Sequence, residues 1–193
     1  MSVEKSQVAA RAAARYRRAM EPELTQAPAH SVRRSQVEMT EHVLPEYTNS
    51  LGNIFGGQIM CWIDICAAIA AQRHCRSVVV TRSIDAVEFI KPIKTGHIVV
   101  LRGQVNATFH TSMECGVSVW SESPLTGELH KAVKAYATFV ALDEYGRPKK
   151  VPPLVLGSDE DRRRADAAGA RRAARLAVRA ASHDTGASRL PPP

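Results

Sequence analysis

The sequence predicts an α+β domain in which an antiparallel sheet wraps round one long helix. The first observation is the stretch GNIFGGQIMCWIDICAAIAAQRH, residues 52–74, a glycine-rich turn followed by a helix that is apolar on nearly all sides. The second is that four β-rich segments follow it, joined by short connections that contain Pro and Gly. Only a sheet that curls round such a helix covers it on most sides, so together they predict the wrapped arrangement.

The predicted order of elements is one strand, the helix and then four strands. The segment QVEMTEHVL alternates apolar and polar residues, as a half-buried strand does. The later strands correspond to SVVVTRSIDAVEFI, HIVVLRGQVNATFH, SMECGVSVWSES and LHKAVKAYATFVAL. A parallel crossover needs a dozen or more residues, so the short connections KPIKTG and PLTGE predict antiparallel hairpins at both places.

The chain divides into three parts. With 193 residues, 45% of them hydrophobic, it suits one domain with appendages. Residues 1–34 are predicted as a basic helix and a Pro-containing linker, and residues 35–155 as the domain. Residues 156–193 are predicted as a second basic helix from about Ser158, followed by a disordered tail from Ser182. Ser158 and Asp161 have the spacing of a capping box, and the arginine-rich run after them lacks a continuous apolar face, so this helix should lie on a surface.

Composition limits the classes of function and location. The net charge of +7 suits an anionic partner, which the charge alone leaves open as nucleic acid, membrane surface or phosphorylated small molecule. The four cysteines have no CxxC spacing and predict reduced core residues in a cytoplasmic protein. No apolar run reaches the roughly 20 residues of a membrane span, and no secretory signal is evident. The Arg- and Ala-rich beginning leaves a mitochondrial presequence open.

Asp64 is the unexpected residue of the apolar helix. An ionised carboxylate in apolar surroundings is costly unless it is paired or hydrogen-bonded, and Asp64 lies too far along the helix to cap it. It is therefore a candidate functional residue, with a core carboxylate bonded to neighbouring hydroxyls or amides as the alternative. The pair His74 and Cys75 has no further ligands at zinc-like spacing, so no metal site is predicted.

Three motifs in order, GNIFGGQIMCWID, TRSIDAVEFIKPI and FHTSMECGVSVW, resemble the acyl-CoA thioesterases (acyl-CoA hydrolases) of the hotdog superfamily. The resemblance covers about residues 35–153. It implies the hotdog fold and hydrolysis of fatty acyl-CoA to free fatty acid and CoA, with no metal and no bound cofactor. It makes Asp64 the catalytic general base or nucleophile and Asn53 a second polar group. The implied substrate contacts are Gly56, Arg82, Ser83, Ile84, Thr111, Ser112 and Met113.

The glycine pair at the start of the helix suits thioester chemistry. Gly56 and Gly57 have no side chains to block a carbonyl from backbone N–H groups at the positive helix end. We therefore expect Gly57 to be the oxyanion donor, while Asn53 donates a second hydrogen bond or holds the water. Two structural alternatives stay open, since Asn53 could simply support a left-handed turn and the glycines could permit close helix–sheet packing.

The site is predicted to need two chains. Asp64 lies roughly 10 Å along the helix axis from Gly57, too far to serve a carbonyl at the tip of its own helix. A partner chain must then supply Asp64, which predicts a homodimer paired through sheet edges. The resemblance further implies three such dimers in a ring, a hexamer. Acyl chain length is left open.

Two rival functions are weaker. A hydroxyacyl dehydratase on the same fold uses a histidine with a helix carboxylate, and residues 49–64 contain no histidine. An acyl-CoA-sensing regulator that docks DNA would need a helix-turn-helix, and about 34 residues with one candidate helix are too few. We therefore expect no nucleic-acid partner and no stable membrane insertion.

Overall fold

The computed structural model describes residues 30–184, so the helix expected near the beginning of the chain lies outside the described residues. The elements are α1 (Val32–Ser35), β1 (Val37–His42), α2 (Gly56–Cys75), β2 (Val78–Phe89), β3 (Ile98–Thr108), β4 (Ser112–Glu122), β5 (Leu129–Leu142) and α3 (Asp159–Asp184). The predicted order of strand, helix and four strands is confirmed. Over this part of the chain, no helix combines the length and the hydropathy that a membrane span requires.

The five strands form one antiparallel sheet in the order β1-β3-β4-β5-β2. The hairpin predicted at PLTGE is confirmed, since β4 pairs with β5. The hairpin predicted at KPIKTG is wrong, because β2 pairs with β5 at the far edge of the sheet. This connection crosses beside the start of α2, where Ile93 O accepts from Ile54 N at 2.9 Å and Thr95 N donates to Gly52 O at 2.9 Å. Its backbone bonds therefore close the loop before the helix.

Helix α2 packs into the concave face of the sheet through small and branched side chains. Its buried residues are Ile59, Trp62, Ile63, Cys66, Ala67, Ala70, Ala71, His74 and Cys75. The helix approaches β3 so closely that a Cβ added at Gly103 would lie 2.8 Å from Cys66 Sγ. Glycine is therefore required on β3 at this point, because any larger residue would push the helix away.

One side of α2 remains open in the single chain, as expected for a single sheet wrapped round one helix. Gly57, Met60, Cys61 and Ile65 are exposed, and Asp64 between them is half-buried. The prediction that all four cysteines lie in the core is wrong for Cys61, which is exposed, and confirmed for the other three. All four cysteines are free. One sheet is too narrow to surround the helix.

Helix α3 begins at the predicted capping box. Ser158 Oγ accepts from Asp161 N at 3.1 Å, and Asp161 Oδ2 accepts from Ser158 N at 3.1 Å. The helix continues to Asp184, so the prediction of disorder from Ser182 onward is wrong for residues 182–184. Residues 185–193 lie outside the described part. Most of α3 is exposed, as its polar sequence predicts, although Ala168 is fully buried.

Candidate active site

The loop before α2 is held by Asn49. Its side-chain Oδ1 accepts from Leu51 N at 2.9 Å and from Asn53 N at 3.2 Å, and Asn49 N donates to Asn53 O at 2.8 Å. Gly52 supplies the left-handed conformation in this turn, with a φ of 69°. In this part of the chain, the side-chain NH₂ groups of Asn49 and Asn53 make no hydrogen bond to other described residues. Both therefore remain available as donors.

The first turn of α2 presents free backbone donors. Phe55 is the N-cap and provides no side-chain cap, and the first bonds to its carbonyl oxygen come from Gln58 N and Ile59 N. The N–H groups of Gly56 and Gly57 thus have no acceptor in residues 30–184 and lie at the positive end of the helix dipole. This arrangement can bind a carbonyl oxygen that gains negative charge.

The two glycines of this turn differ in what a side chain would meet. A Cβ at Gly56 would lie 3.3 Å from the ring of Phe89, so this glycine serves packing. A Cβ at Gly57 would meet nothing within 4 Å in this chain, so packing within the chain does not require glycine there. The alternative that the glycines permit close helix–sheet packing therefore applies to Gly56. At Gly57 the space is free within this chain and could hold a ligand or a partner chain.

A largely apolar pocket of about 380 Å³ lies beside this helix start. Asn53, Ile54, Gly56, Ile59, Phe89, Ile90, Lys91, Pro92 and Ile93 line it. Its size falls in the range of small-molecule sites, and only Asn53 and Lys91 bring polar side chains to it. The predicted residues Asn53 and Gly56 thus meet at an apolar pocket.

Asp64 lies two turns farther along, on the open side of α2. Its Oδ1 accepts from the Thr81 hydroxyl on β2 at 2.7 Å, and in residues 30–184 it forms no ion pair. This bond orients the carboxylate and leaves its second oxygen without a partner among the described residues. Thr81 was missed at the sequence level, although it begins the motif TRSIDAVEFIKPI. The residues next to a threonine on a strand do not indicate which distant side chain its hydroxyl will contact.

The residues predicted to contact CoA are only partly brought together. Arg82, Ser83, Thr111 and Ser112 line one cleft of about 530 Å³. Ile84 is half-buried and packs against the core, while Met113 is fully buried within it. The side chain of Met113 therefore cannot reach a ligand in the cleft. Arg82 of this cleft directly follows Thr81 on β2.

His74 uses its ring for structure. It is 2% exposed, and its Nε2 lies 2.9 Å from Pro152 O, while its own carbonyl oxygen lies 3.0 Å from His30 Nδ1. Burial lowers the pKa of His74 below its ordinary value, partly offset by the contact with Pro152. In the part of the chain that the structure describes, no three His, Cys, Asp or Glu side chains converge as metal ligands would.

Comparison with known proteins agrees with this geometry. The family model of the thioesterase superfamily matches residues 51–128. An acyl-CoA thioester hydrolase of Bacillus subtilis, itself uncharacterized, is 42% identical over 127 residues, which cover 66% of this chain and 74% of the relative. This chain belongs to the hotdog-fold acyl-CoA thioesterase family. The resemblance and the fold predicted from the sequence are thereby confirmed. Longer mouse thioesterases also match, and the chain spans 24% and 38% of two of them.

Solved structures of the family extend the comparison. The acyl-CoA hydrolase of Staphylococcus aureus, in complex with butyryl-CoA, CoA and CoA disulfide, has a TM-score of 0.75 and 37% identity, covering 82% of this chain and 96% of its own. Variants of it carry alanine in place of an asparagine at position 28, an aspartate at position 43 and a threonine at position 60 of that chain. A hexameric acyl-CoA thioesterase is 42% identical with a TM-score of 0.75, over 78% of this chain and 98% of its own.

Proposed function

We propose that this protein is an acyl-CoA thioesterase that hydrolyses fatty acyl-CoA to free fatty acid and CoA. The observation that carries the proposal is Asp64, a carboxylate on the open face of an apolar helix, oriented by the Thr81 hydroxyl and free of any ion pair in residues 30–184. The same helix begins with unbonded N–H groups at Gly56 and Gly57. An acid–base group and oxyanion donors are the two requirements of thioester hydrolysis.

Asn49 becomes the leading candidate for the second polar group, ahead of Asn53. In the Staphylococcus aureus hydrolase, the replaced asparagine lies 15 residues before the replaced aspartate, and the threonine lies 17 residues after it. Asn49, Asp64 and Thr81 have the same two separations here. The Oδ1 of Asn49 is occupied by the loop while its NH₂ group can donate to a ligand. Asn53 remains an alternative donor because it lines the apolar pocket.

In the proposed reaction, backbone and side-chain N–H groups hold the thioester carbonyl oxygen, and Asp64 acts either as general base or as nucleophile. The thioester carbonyl oxygen accepts from Gly57 N–H and from the asparagine NH₂. As general base, Asp64 removes a proton from water while the water oxygen bonds to the carbonyl carbon. The C–S bond then breaks, and Asp64 passes this proton to the CoA thiolate. As nucleophile, Asp64 instead forms an anhydride as the C–S bond breaks, and the water that opens the anhydride supplies the proton that the CoA thiolate takes up. Both routes release the free acid. The acid–base and oxyanion roles are filled by the chain itself, so the proposal includes no cofactor.

A second copy of the chain completes the proposed site. β2 is an edge strand with exposed Val78 and Val80, and the open stripe of α2 carries exposed Met60 and Ile65. Exposed apolar side chains beside an unpaired sheet edge favour pairing of two chains. Asp64 of one chain would then reach the Gly57 N–H of the other. Because similar thioesterases are hexameric, we further propose three such dimers in one assembly.

The proposed location is the cytoplasm. All four cysteines are free, and three of them are buried, in agreement with a reducing compartment. Burial raises the pKa of the Cys66 thiol to about 12, so this side chain is an inert part of the core.

A thiol-release assay over acyl-CoA chain lengths tests the activity. The nearly isosteric Asp64→Asn should lower kcat by on the order of 10²- to 10⁴-fold, the usual contribution of a positioned acid–base group. Turnover within threefold of the wild type would contradict the role of Asp64. The chain lengths accepted follow from the same screen.

Matched asparagine variants separate the two donors. Asn49→Asp keeps the oxygen that holds the loop and removes the NH₂ donor, so kcat should fall by on the order of 10²-fold. Asn53→Ala should lower it by less than tenfold. The reverse order of effects would return the role to Asn53.

Mixed dimers test the shared site. If each site takes Asn49 from one chain and Asp64 from the other, an Asn49→Asp chain paired with an Asp64→Asn chain restores one intact site. Random pairing of equal amounts makes half of the dimers mixed, each with one of its two sites intact. About a quarter of the wild-type activity should therefore return. Verified mixed dimers without activity would place both residues in a site within one chain.

A further inference from the structure

Four arginines converge on the cleft that contains Arg82 and Ser83, which we call the arginine cleft. Arg82 comes from β2, whereas Arg172, Arg175 and Arg179 come from α3. The three helix positions are separated by three and four residues, so they lie on one helical face. The cleft is further lined by Ser83, Thr111, Ser112, Thr138, Val140 and Leu176. Guanidinium groups and hydroxyls together are the donors that phosphate recognition uses.

The positive charge of the arginine cleft is largely uncompensated. Arg175 pairs with Asp85, which is the one carboxylate within residues 30–184 that forms an ion pair with any of the four arginines. Arg82, Arg172 and Arg179 form no ion pair with residues 30–184. Three unpaired cations around a concave surface repel one another and attract an anion of several charges.

A buried hydroxyl points to the same conclusion. Thr138 lines the arginine cleft and is only 6% exposed, and its Oγ1 has no hydrogen-bond partner among the described residues. A buried hydroxyl without a partner is costly, and natural structures satisfy nearly all such groups. A ligand oxygen in the cleft would satisfy this one.

The helix that carries the arginines is firmly placed. Arg171 donates to the fully buried carboxylate of Glu114 at 2.6 Å, and its guanidinium lies 3.6 Å from the centre of the Tyr136 ring. Arg172 lies over the ring of Phe109 at 4.5 Å. These contacts hold α3 on the sheet beside the cleft.

The resemblance already implies CoA contacts at Arg82, Ser83, Thr111 and Ser112 of this cleft. We propose that Arg172 and Arg179 of α3 add phosphate contacts to them, and that these two arginines make the enzyme specific for CoA thioesters over pantetheine thioesters. The inference rests on the proposed function for the identity of the substrate. The nucleotide end of CoA carries three phosphate groups, whereas a pantetheine thioester has none. Arg82 directly follows the Thr81 that contacts Asp64. Because β2 is an edge strand and successive strand side chains point to opposite faces, a CoA molecule would pass over this edge between the cleft and the carboxylate.

The test compares two double variants of α3 that remove the same charge. Arg172→Gln with Arg179→Gln alters the cleft, while Arg162→Gln with Arg163→Gln changes exposed arginines near the start of the helix. Calorimetry measures the binding of CoA and of pantetheine, independently of any hydrolysis. A kinetic assay measures the ratio of kcat/KM for acyl-CoA to that for the matching acyl-pantetheine.

The cleft variant should bind CoA on the order of a hundredfold more weakly, from roughly tenfold for each lost charge-assisted contact. Its substrate ratio should fall by the same factor, with the loss mainly in KM. The control variant should keep the wild-type CoA affinity and ratio. A cleft variant that keeps both would overturn the proposal. Wild-type protein that binds CoA through the cleft but hydrolyses no thioester would instead overturn the proposed function alone.

Discussion

The two long helices of this protein are held by opposite kinds of interaction. α2 is placed by apolar burial, with Ile59, Ile63 and Cys66 almost fully hidden against the sheet. α3 lies on the outer side of the domain and is attached through Arg171 to Glu114 and through Arg175 to Asp85. The apolar packing of α2 buries one side of the helix, and its exposed side carries Asp64. The ion pairs of α3 place its other arginines beside the arginine cleft.

The difference has an energetic consequence. Glu114 is fully buried, and besides the pair with Arg171 its carboxylate accepts from Asn106 Nδ2 at 3.2 Å. A buried ion pair contributes little over a well-packed apolar pair, yet removal of one partner is severely destabilising. The stability contributed by α2 should instead depend on the volume of the side chains packed against it.

The largest effect is expected from Arg171→Met, which leaves the carboxylate of Glu114 buried without its cation. The free energy of unfolding should fall by about 3 kcal/mol, measured by urea denaturation. Adding Glu114→Leu should restore most of this loss, since the buried charge is then gone. Arg163→Gln, which breaks an exposed pair with Glu160, is the matched control and should leave the denaturation midpoint unchanged. Equal effects of the two arginine variants would remove the distinction between the helices.

A smaller effect is expected where α2 meets β3. Gly103→Ala places a methyl group 2.8 Å from Cys66 Sγ and should lower the free energy of unfolding by about 1–3 kcal/mol. Gly57→Ala meets nothing within 4 Å and should leave stability unchanged, which makes it the control for folding. Combining Gly103→Ala with Cys66→Ala should recover part of the loss. A Gly103→Ala protein as stable as the wild type would show that α2 can shift freely.

The smallest effect concerns His74, a buried polar residue in the last turn of α2. Burial lowers its pKa in the folded state, so below about pH 6.5 the unfolded state binds more protons. The stabilisation is therefore complete above the unfolded pKa and is lost as the pH falls through it. The melting temperature should drop between pH 7.5 and 5.5, and less so in His74→Gln. The exposed His42→Gln is the control, and an unchanged pH dependence in His74→Gln would refute the assignment.

Much of the architecture could be predicted from the sequence, because its signals are local. The apolar run with Asp64, the alternating strands and the pairing of Ser158 with Asp161 depend on neighbours a few residues apart. The same holds for the hairpin at PLTGE, where one short turn joins two strands that pair directly. The family also followed from motifs in a fixed order.

What only the tertiary structure decided depends on contacts between distant segments. The short segment KPIKTG reads as a hairpin, yet β2 pairs across the sheet with β5 and leaves its edge open. Met113 belongs to a motif of the resemblance, yet the core hides its side chain. Asn49 lies at the candidate site because its side chain closes the loop before α2. Thr81 lies there because β2 packs beside α2, where its hydroxyl contacts Asp64. From the sequence, the arginines of α3 indicate solvated charge or contacts with CoA phosphates, and only the docking of that helix through buried Glu114 gathers them at one cleft. Long-range pairing and docking set these positions, and no window of neighbouring residues encodes them.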